Sequence, residues 1–184
     1  MSNRDRPLTR SEQVVFDLSR QSALSLWSYA NPRKRDRKKE LCDVLIVFGS
    51  RVVVFQVKEH LLQEDRDVET AANRWLRAAV DEGVAQLRGA QRELAAMDRV
   101  IRADGTDGID LPDRDQRRIH LVAVACGGKR SVPFSGGDRD GNGYVHVLEE
   151  EALREILGEL DTADDFFSLS RCEGRFRGIH RVQR

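Results

Sequence analysis

Apolar and polar positions alternate most clearly between Lys39 and Lys58, in the run KELCDVLIVFGSRVVVFQVK. That period of two predicts two strands joined by a tight turn at Gly49-Ser50. Asp43, Leu45 and Val47 share one face of the first strand. Val52, Val54, Gln56 and Lys58 share one face of the second, with Val53, Phe55 and Val57 opposite. Polar residues stand only at the strand ends, so the hairpin reads as buried on both sides, with an acid, an amide and an amine at one rim. Upstream, Thr9-x-x-Glu12 has capping-box spacing, and Val15, Leu18 and Ser22 continue a helical face. Leu24 to Tyr29 (LSLWSY) alternates as a strand until Asn31-Pro32 breaks it.

The period then changes. Leu76, Val80, Gly83, Leu87, Ala90, Leu94, Met97 and Ile101 recur at alternating spacings of four and three, which predicts one long helix over Glu69 to Arg102. Asp104 to Asp115 reads as a Gly- and Asp-rich loop, and Ile119 to Ala125 as an apolar strand of parallel-sheet character. Tyr144 to Leu148 reads as a further strand, followed by short helices over Glu150 to Leu160 and Thr162 to Leu169. The expected fold is α/β, a single domain over 1–184 with a mixed central sheet flanked by helices.

Composition narrows the chemistry. Charged residues make up 34% of the 184, but 31 basic and 31 acidic residues cancel, so any attraction to nucleic acid must come from local segregation of charge. Such a segment exists: Arg33, Lys34, Arg35, Arg37, Lys38 and Lys39 are six basic residues in seven, leading straight into the Asp43 strand. A second basic cluster lies in the tail, at Arg171, Arg175, Arg177, His180, Arg181 and Arg184, where a solvated surface is the default reading. Cys42, Cys126 and Cys172 are odd in number and widely spaced, two of them inside apolar runs, which points to a reducing cytoplasm. No apolar run approaches a membrane span and no signal peptide is expected. There is no zinc spacing of His or Cys, no nucleophile elbow and no phosphate-cradling glycine loop.

The candidate site residues each have two readings. Asp43 is either a turn cap or a functional carboxylate, and a carboxylate against an apolar strand is costly unless paired or metal-bound. Lys58 could extend its stem to solvent; its coincidence with Asp43 on the neighbouring strand favours a functional role. Glu12 either closes the capping box with Thr9 or faces the sheet as a ligand. Glu40 is a second acid, but alternation puts it on the face opposite Asp43. Separately, DRDGNGYVHVLE matches an EF-hand loop at Asp138, Asp140, Asn142, Gly143 and Glu149. The glycine-rich stretch before it cannot supply an entering helix, so an Asp/Gly-rich turn is the default and Ca²⁺ the alternative.

Asp43 followed by Gln56-x-Lys58 on the next strand, after a helix carrying Glu12, resembles the PD-(D/E)xK nuclease superfamily. The likeness is to its QxK form, as in Mrr-like restriction endonucleases, and less closely to nuclease-related NERD domains. It spans about 10–125, leaving 126–184 as a C-terminal extension. The resemblance implies a restriction-endonuclease-like core in αβββαβ order. It also implies an endonuclease that hydrolyses phosphodiesters of nucleic acid, DNA foremost, in restriction or defence. By that analogy Mg²⁺ (or Mn²⁺) would be held by Asp43, the Gln56 amide oxygen, the Val57 carbonyl and Glu12. Lys58 would stand beside the attacking water and the scissile phosphate, and the 33–39 loop would contact the backbone. A homodimer is compatible with it and a membrane is not called for. Gln56 departs from the usual acid of the motif and would weaken metal binding. The alternative is a binding scaffold that keeps the fold without catalysis.

Overall fold

The computed structural model describes residues 7–21, 27–62, 67–128, 137 and 143–159. Along the chain these form α1 (Arg10–Gln21), β1 (Ser28–Ala30), β2 (Val44–Phe48), β3 (Arg51–Glu59), α2 (Val68–Leu76), a π-helical turn (Arg77–Asp81) and α3 (Glu82–Leu94). After these come β4 (Arg99–Ile101), β5 (Asp107–Asp110), β6 (Arg118–Cys126), β7 (His146–Glu149) and α4 (Glu150–Glu159). The main sheet has the order β1-β2-β3-β6-β7. Its first three strands are antiparallel, and β3–β6 and β6–β7 are parallel. The fold is therefore mixed α/β with a five-stranded mixed sheet.

Both faces of that sheet are covered, which is why the strands are apolar on both sides. Leu45, Val47, Val52, Val54, Leu121 and Ala123 pack under Trp75, Val80, Val84 and Leu87 of the helical crossover from β3 to β6. Val44, Ile46, Val53, Phe55, Val57, Val122 and Val124 pack with Val15 of α1 and Leu153 of α4. Each buried Val or Leu contributes on the order of 1.5–3 kcal/mol of burial. The β2–β3 register, Val44↔Phe55 to Phe48↔Arg51, leaves Gly49 and Ser50 as the two-residue turn, and Gly49 takes φ +56° at no steric cost.

The single long helix expected over Glu69 to Arg102 is instead two helices in tandem. The π-turn at Arg77–Asp81 separates α2 from α3, and α3 stops at Leu94. Arg117 fastens the chain at that end. Its guanidinium donates to Leu94 O and to Met97 O (3.0 Å), while also holding Pro112 O (2.6 and 3.0 Å). Met97 and Ile101 still belong to the apolar core, but from a turn and from β4. The loop expected over Asp104 to Asp115 contains β5, which pairs with β4 as a separate ribbon. Of its four residues (DGID) only Ile109 is apolar, so it carries no alternation to detect.

The strand expected over Leu24 to Tyr29 appears as β1, its first residues lying outside those described. The helix expected over Thr162 to Leu169, the basic tail and Cys172 also lie outside. Cys42 and Cys126 are buried and unpaired. No helix among the described residues is long and apolar enough to cross a membrane.

Candidate active site

The candidate residues meet at the end of the sheet where β2 begins and β3 finishes. Asp43 immediately precedes β2, one residue beyond the Val44↔Phe55 pair, and so lies across from Gln56. Its Oδ2 accepts hydrogen bonds from Gln56 Nε2 and from the Val57 backbone N–H, both at 2.6 Å. Its carbonyl accepts from the Asn31 N–H at 2.8 Å. Asp43 is 2% exposed and Gln56 8%. Burial pushes the Asp43 carboxyl up, the Val57 N–H opposes it, and the charges of Glu12 and Glu40 with a hydrogen bond to Glu40 push it further, to about 7.

Glu12 takes the capping-box reading. The capping box closes reciprocally: Thr9 N–H donates to Glu12 Oε2 (2.8 Å) and Glu12 N–H to Thr9 Oγ1 (3.3 Å). The same side chain is buried at 5% exposure, and its charge is felt at Asp43. The start of α1 is tied to the end of β3 by Ser11 Oγ, which donates to Glu59 Oε2 at 2.6 Å.

Lys58 follows Gln56 by two residues on β3 and so shares its face, pairing with Ala125 of β6. It is half-buried, and its stem runs along α3, where a methyl group on Gly83 would stand 3.6 Å from Lys58 Cγ. Asp43 and Gln56 are thus in contact, and Lys58 occupies the same rim.

Glu40 departs from expectation. Strand alternation put it opposite Asp43, yet it hydrogen-bonds the Asp43 carboxyl. The reason is that β2 begins only at Val44. Leu41, Cys42 and Asp43 are all buried in succession, so period-two parity does not extend back to Glu40. Three consecutive buried positions before a strand are the signal that parity should not be carried through them.

The basic segment also divides differently. Arg33 is 3% exposed and donates through Nε to Ala103 O at 2.9 Å, so it is a structural residue and not a surface contact. Arg35 pairs with Glu93 (3.4 Å), and Arg37 with Asp107 (2.6 Å) and the Gly105 carbonyl. Lys34, Lys38 and Lys39 remain at the surface, Lys34 half-buried.

Of the EF-hand-like stretch, Asp138, Asp140 and Asn142 lie outside the described residues. Gly137 and Val145 pair as an antiparallel bridge and Glu149 ends strand β7, so the described flanks of the stretch are strand-like. The acids felt at Asp43 are all oxygen donors: its own carboxyl and those of Glu12 and Glu40. That set suits a hard divalent cation, and the repulsion among the acids is what such a cation relieves. Among the described residues no group of three or more His, Cys, Asp or Glu is gathered closely enough to hold a metal ion as it stands. Comparison with family models, with curated proteins and with solved structures gives no match. The reading of the site therefore stands on its residues and their geometry.

Proposed function

We propose that this chain is a metal-dependent nuclease of PD-(D/E)xK type, with a restriction-endonuclease-like core, acting on phosphodiester bonds of nucleic acid. One observation carries the reading: a buried, charge-stressed Asp43 held by Gln56 and the Val57 N–H across a strand pair, with Lys58 on the same face. Gln56 and Val57 fix the carboxylate by binding one oxygen, and a cation would replace the hydrogen bond to Glu40 as the partner of the carboxyl. Glu40 and Glu12 supply the negative charge that Gln56 lacks where the motif has an acid. A bound Mg²⁺ or Mn²⁺ would supply Lewis-acid charge neutralisation and a more acidic water. Lys58 orients the attacking water and neutralises the phosphate charge that grows in the transition state. Restriction or defence is the biological role that the resemblance implies.

The test is incubation of supercoiled plasmid with Mg²⁺ or Mn²⁺, using wild type, Lys58→Ala and Asp43→Ala. Wild type is expected to nick or linearise the plasmid, and neither variant to do so. Equal cleavage by Lys58→Ala and wild type would show that the chemistry lies elsewhere. A second reading is a catalytically silent scaffold. It is favoured by the amide at Gln56, whose N–H already satisfies Asp43 without a cation. No cleavage of any substrate with either metal would select it.

A further inference from the structure

The basic stretch between β1 and β2 is a stiff arm and not a loose loop. Its base is closed by the Asn31 N–H on the Asp43 carbonyl and the Leu41 N–H on the Pro32 carbonyl, both at 2.8 Å. Its shaft is an antiparallel bridge, Arg33↔Glu40, followed by Lys34 N–H on Lys39 O at 2.8 Å. At the tip Arg37 adopts φ +56° and its N–H returns to Lys34 O, while Asp36 Oδ1 accepts from the Lys38 and Lys39 N–H groups at 2.8 and 3.0 Å. The arm is braced from the side as well, because Arg33 N–H donates to Ile101 O of β4 at 2.8 Å.

The two kinds of basic residue on this arm have different surroundings. All three arginines have partners within the chain: buried Arg33 on Ala103 O and, at the surface, Arg35 on Glu93 and Arg37 on Asp107 and Gly105 O. The ammonium groups of Lys34, Lys38 and Lys39 make no hydrogen bond or ion pair among the described residues. Their local effect is small. Asp36 is held low chiefly by the Lys39 and Lys38 backbone N–H groups, with the Lys39 and Lys34 charges adding less. Two of the three lysines are exposed, and the tip lies three residues past the Arg33↔Glu40 bridge, about 10 Å at about 3.3 Å per residue.

We infer that this arm grips the phosphate backbone of a nucleic acid through Lys34, Lys38 and Lys39, and that Arg33, Arg35 and Arg37 hold the arm in position. The inference rests on the nuclease reading for the identity of the partner. An ammonium is a compact point charge that binds phosphate without demanding a fixed fork geometry, as backbone contact independent of sequence requires. Because the arm is hydrogen-bonded to the Asp43 backbone itself, a phosphate held at its tip stands at a fixed offset from the candidate active site. Little ordering of the arm is then left to accompany binding.

The test measures binding of a short fluorescein-labelled DNA duplex by anisotropy across a series of KCl concentrations, with EDTA present so that nothing is cut. Three proteins are compared: wild type, Lys34→Ala/Lys38→Ala/Lys39→Ala, and Arg35→Gln/Arg37→Gln, each checked for its fold by circular dichroism. Each lost phosphate contact lowers the slope of log K against log salt by about 0.9, so the lysine triple is expected to flatten it by about 2–3. The arginine pair is expected to lower the urea midpoint and to leave the slope close to wild type. An unchanged slope in the lysine triple, an equal flattening in the arginine pair, or absence of duplex binding by wild type overturns the inference. Plasmid cleavage by wild type together with an unchanged lysine slope would discard the arm and leave the nuclease reading standing.

Discussion

Replacing Asp43 by asparagine should make the protein more stable in alkali than in acid, relative to wild type. The isosteric amide keeps an oxygen for the Gln56 and Val57 donors and presents an N–H₂ to Glu40, reproducing the protonated acid without its charge. The folded-state value of Asp43 is about 7 against an ordinary 3.8. At about 1.4 kcal/mol per unit, the folded protein prefers protonated over ionised Asp43 by about 4 kcal/mol. The sign follows from proton counting. Between these two values the folded state holds a proton that the unfolded chain has lost, so the contribution of Asp43 to stability is greatest below about pH 4. It is lost as pH rises towards about 7. Across about two of those units, from pH 5 to pH 7 and above, wild type should lose about 3 kcal/mol that Asp43→Asn does not lose. The assay is urea unfolding of both proteins at several pH values in EDTA, subtracting one stability curve from the other so that titrations remote from Asp43 cancel and those of Asp43 and its neighbours Glu12 and Glu40 are left. Parallel curves would refute the reasoning, because they would mean that Asp43 ionises in the folded protein as easily as in the unfolded chain.

Other outcomes follow from the same geometry. Lys58→Ala should lower the cleavage rate by about 10²–10³ while leaving the melting temperature nearly unchanged, since Val53, Phe55 and Val57 supply the packing of that strand; a gel-based plasmid assay and a thermal melt read the two effects. Mn²⁺ should raise the melting temperature of wild type by mass action, and Asp43→Ala should abolish the rise; Glu40→Gln should shrink it if Glu40 supplies charge to the site. Gln56→Glu, which adds a carboxylate, should tighten Mn²⁺ binding measured by titration calorimetry and preserve or raise cleavage. Arg117→Met should cost about 1.5–3 kcal/mol in urea unfolding by removing the shared donor of the Leu94, Met97 and Pro112 carbonyls, and an unchanged midpoint would show that water replaces the guanidinium without penalty.

What could be read from the sequence was what repeats. The Asp43–Lys58 hairpin was legible down to its turn, because both strands alternate without interruption and Gly49 marks the reversal. The β6 strand was legible as a continuous apolar run for the same reason. Glu40 was misplaced because the chain between Lys39 and Asp43 looks like strand by composition but follows no strand geometry. The role of Arg33 was hidden because a charged residue in a basic run reads as surface, and only the pairing with Ile101 reveals that it is enclosed. The end of α3 was hidden because the chain there is fastened by Arg117, more than twenty residues downstream and outside any local window. The β4–β5 ribbon has too few apolar residues to announce itself.

The π-turn at Arg77–Asp81 has an evolutionary corollary. Ala71, Trp75, Ala79, Gly83 and Leu87 are buried at successive intervals of four. On an ideal α-helix each such interval advances the face by about 40°, so five in a row would wind off the sheet. One surplus residue in the turn absorbs the drift. Without it, Trp75 and Gly83 would be seven apart, and an unbroken α-helix would still present both to the sheet. The helix thus carries a removable residue: a one-codon deletion there would leave the core faces aligned and draw α3 back along Lys58 by about 1.5 Å. Sequence variants that differ in length at this point would therefore keep the fold while altering where α3 meets the Lys58 side chain.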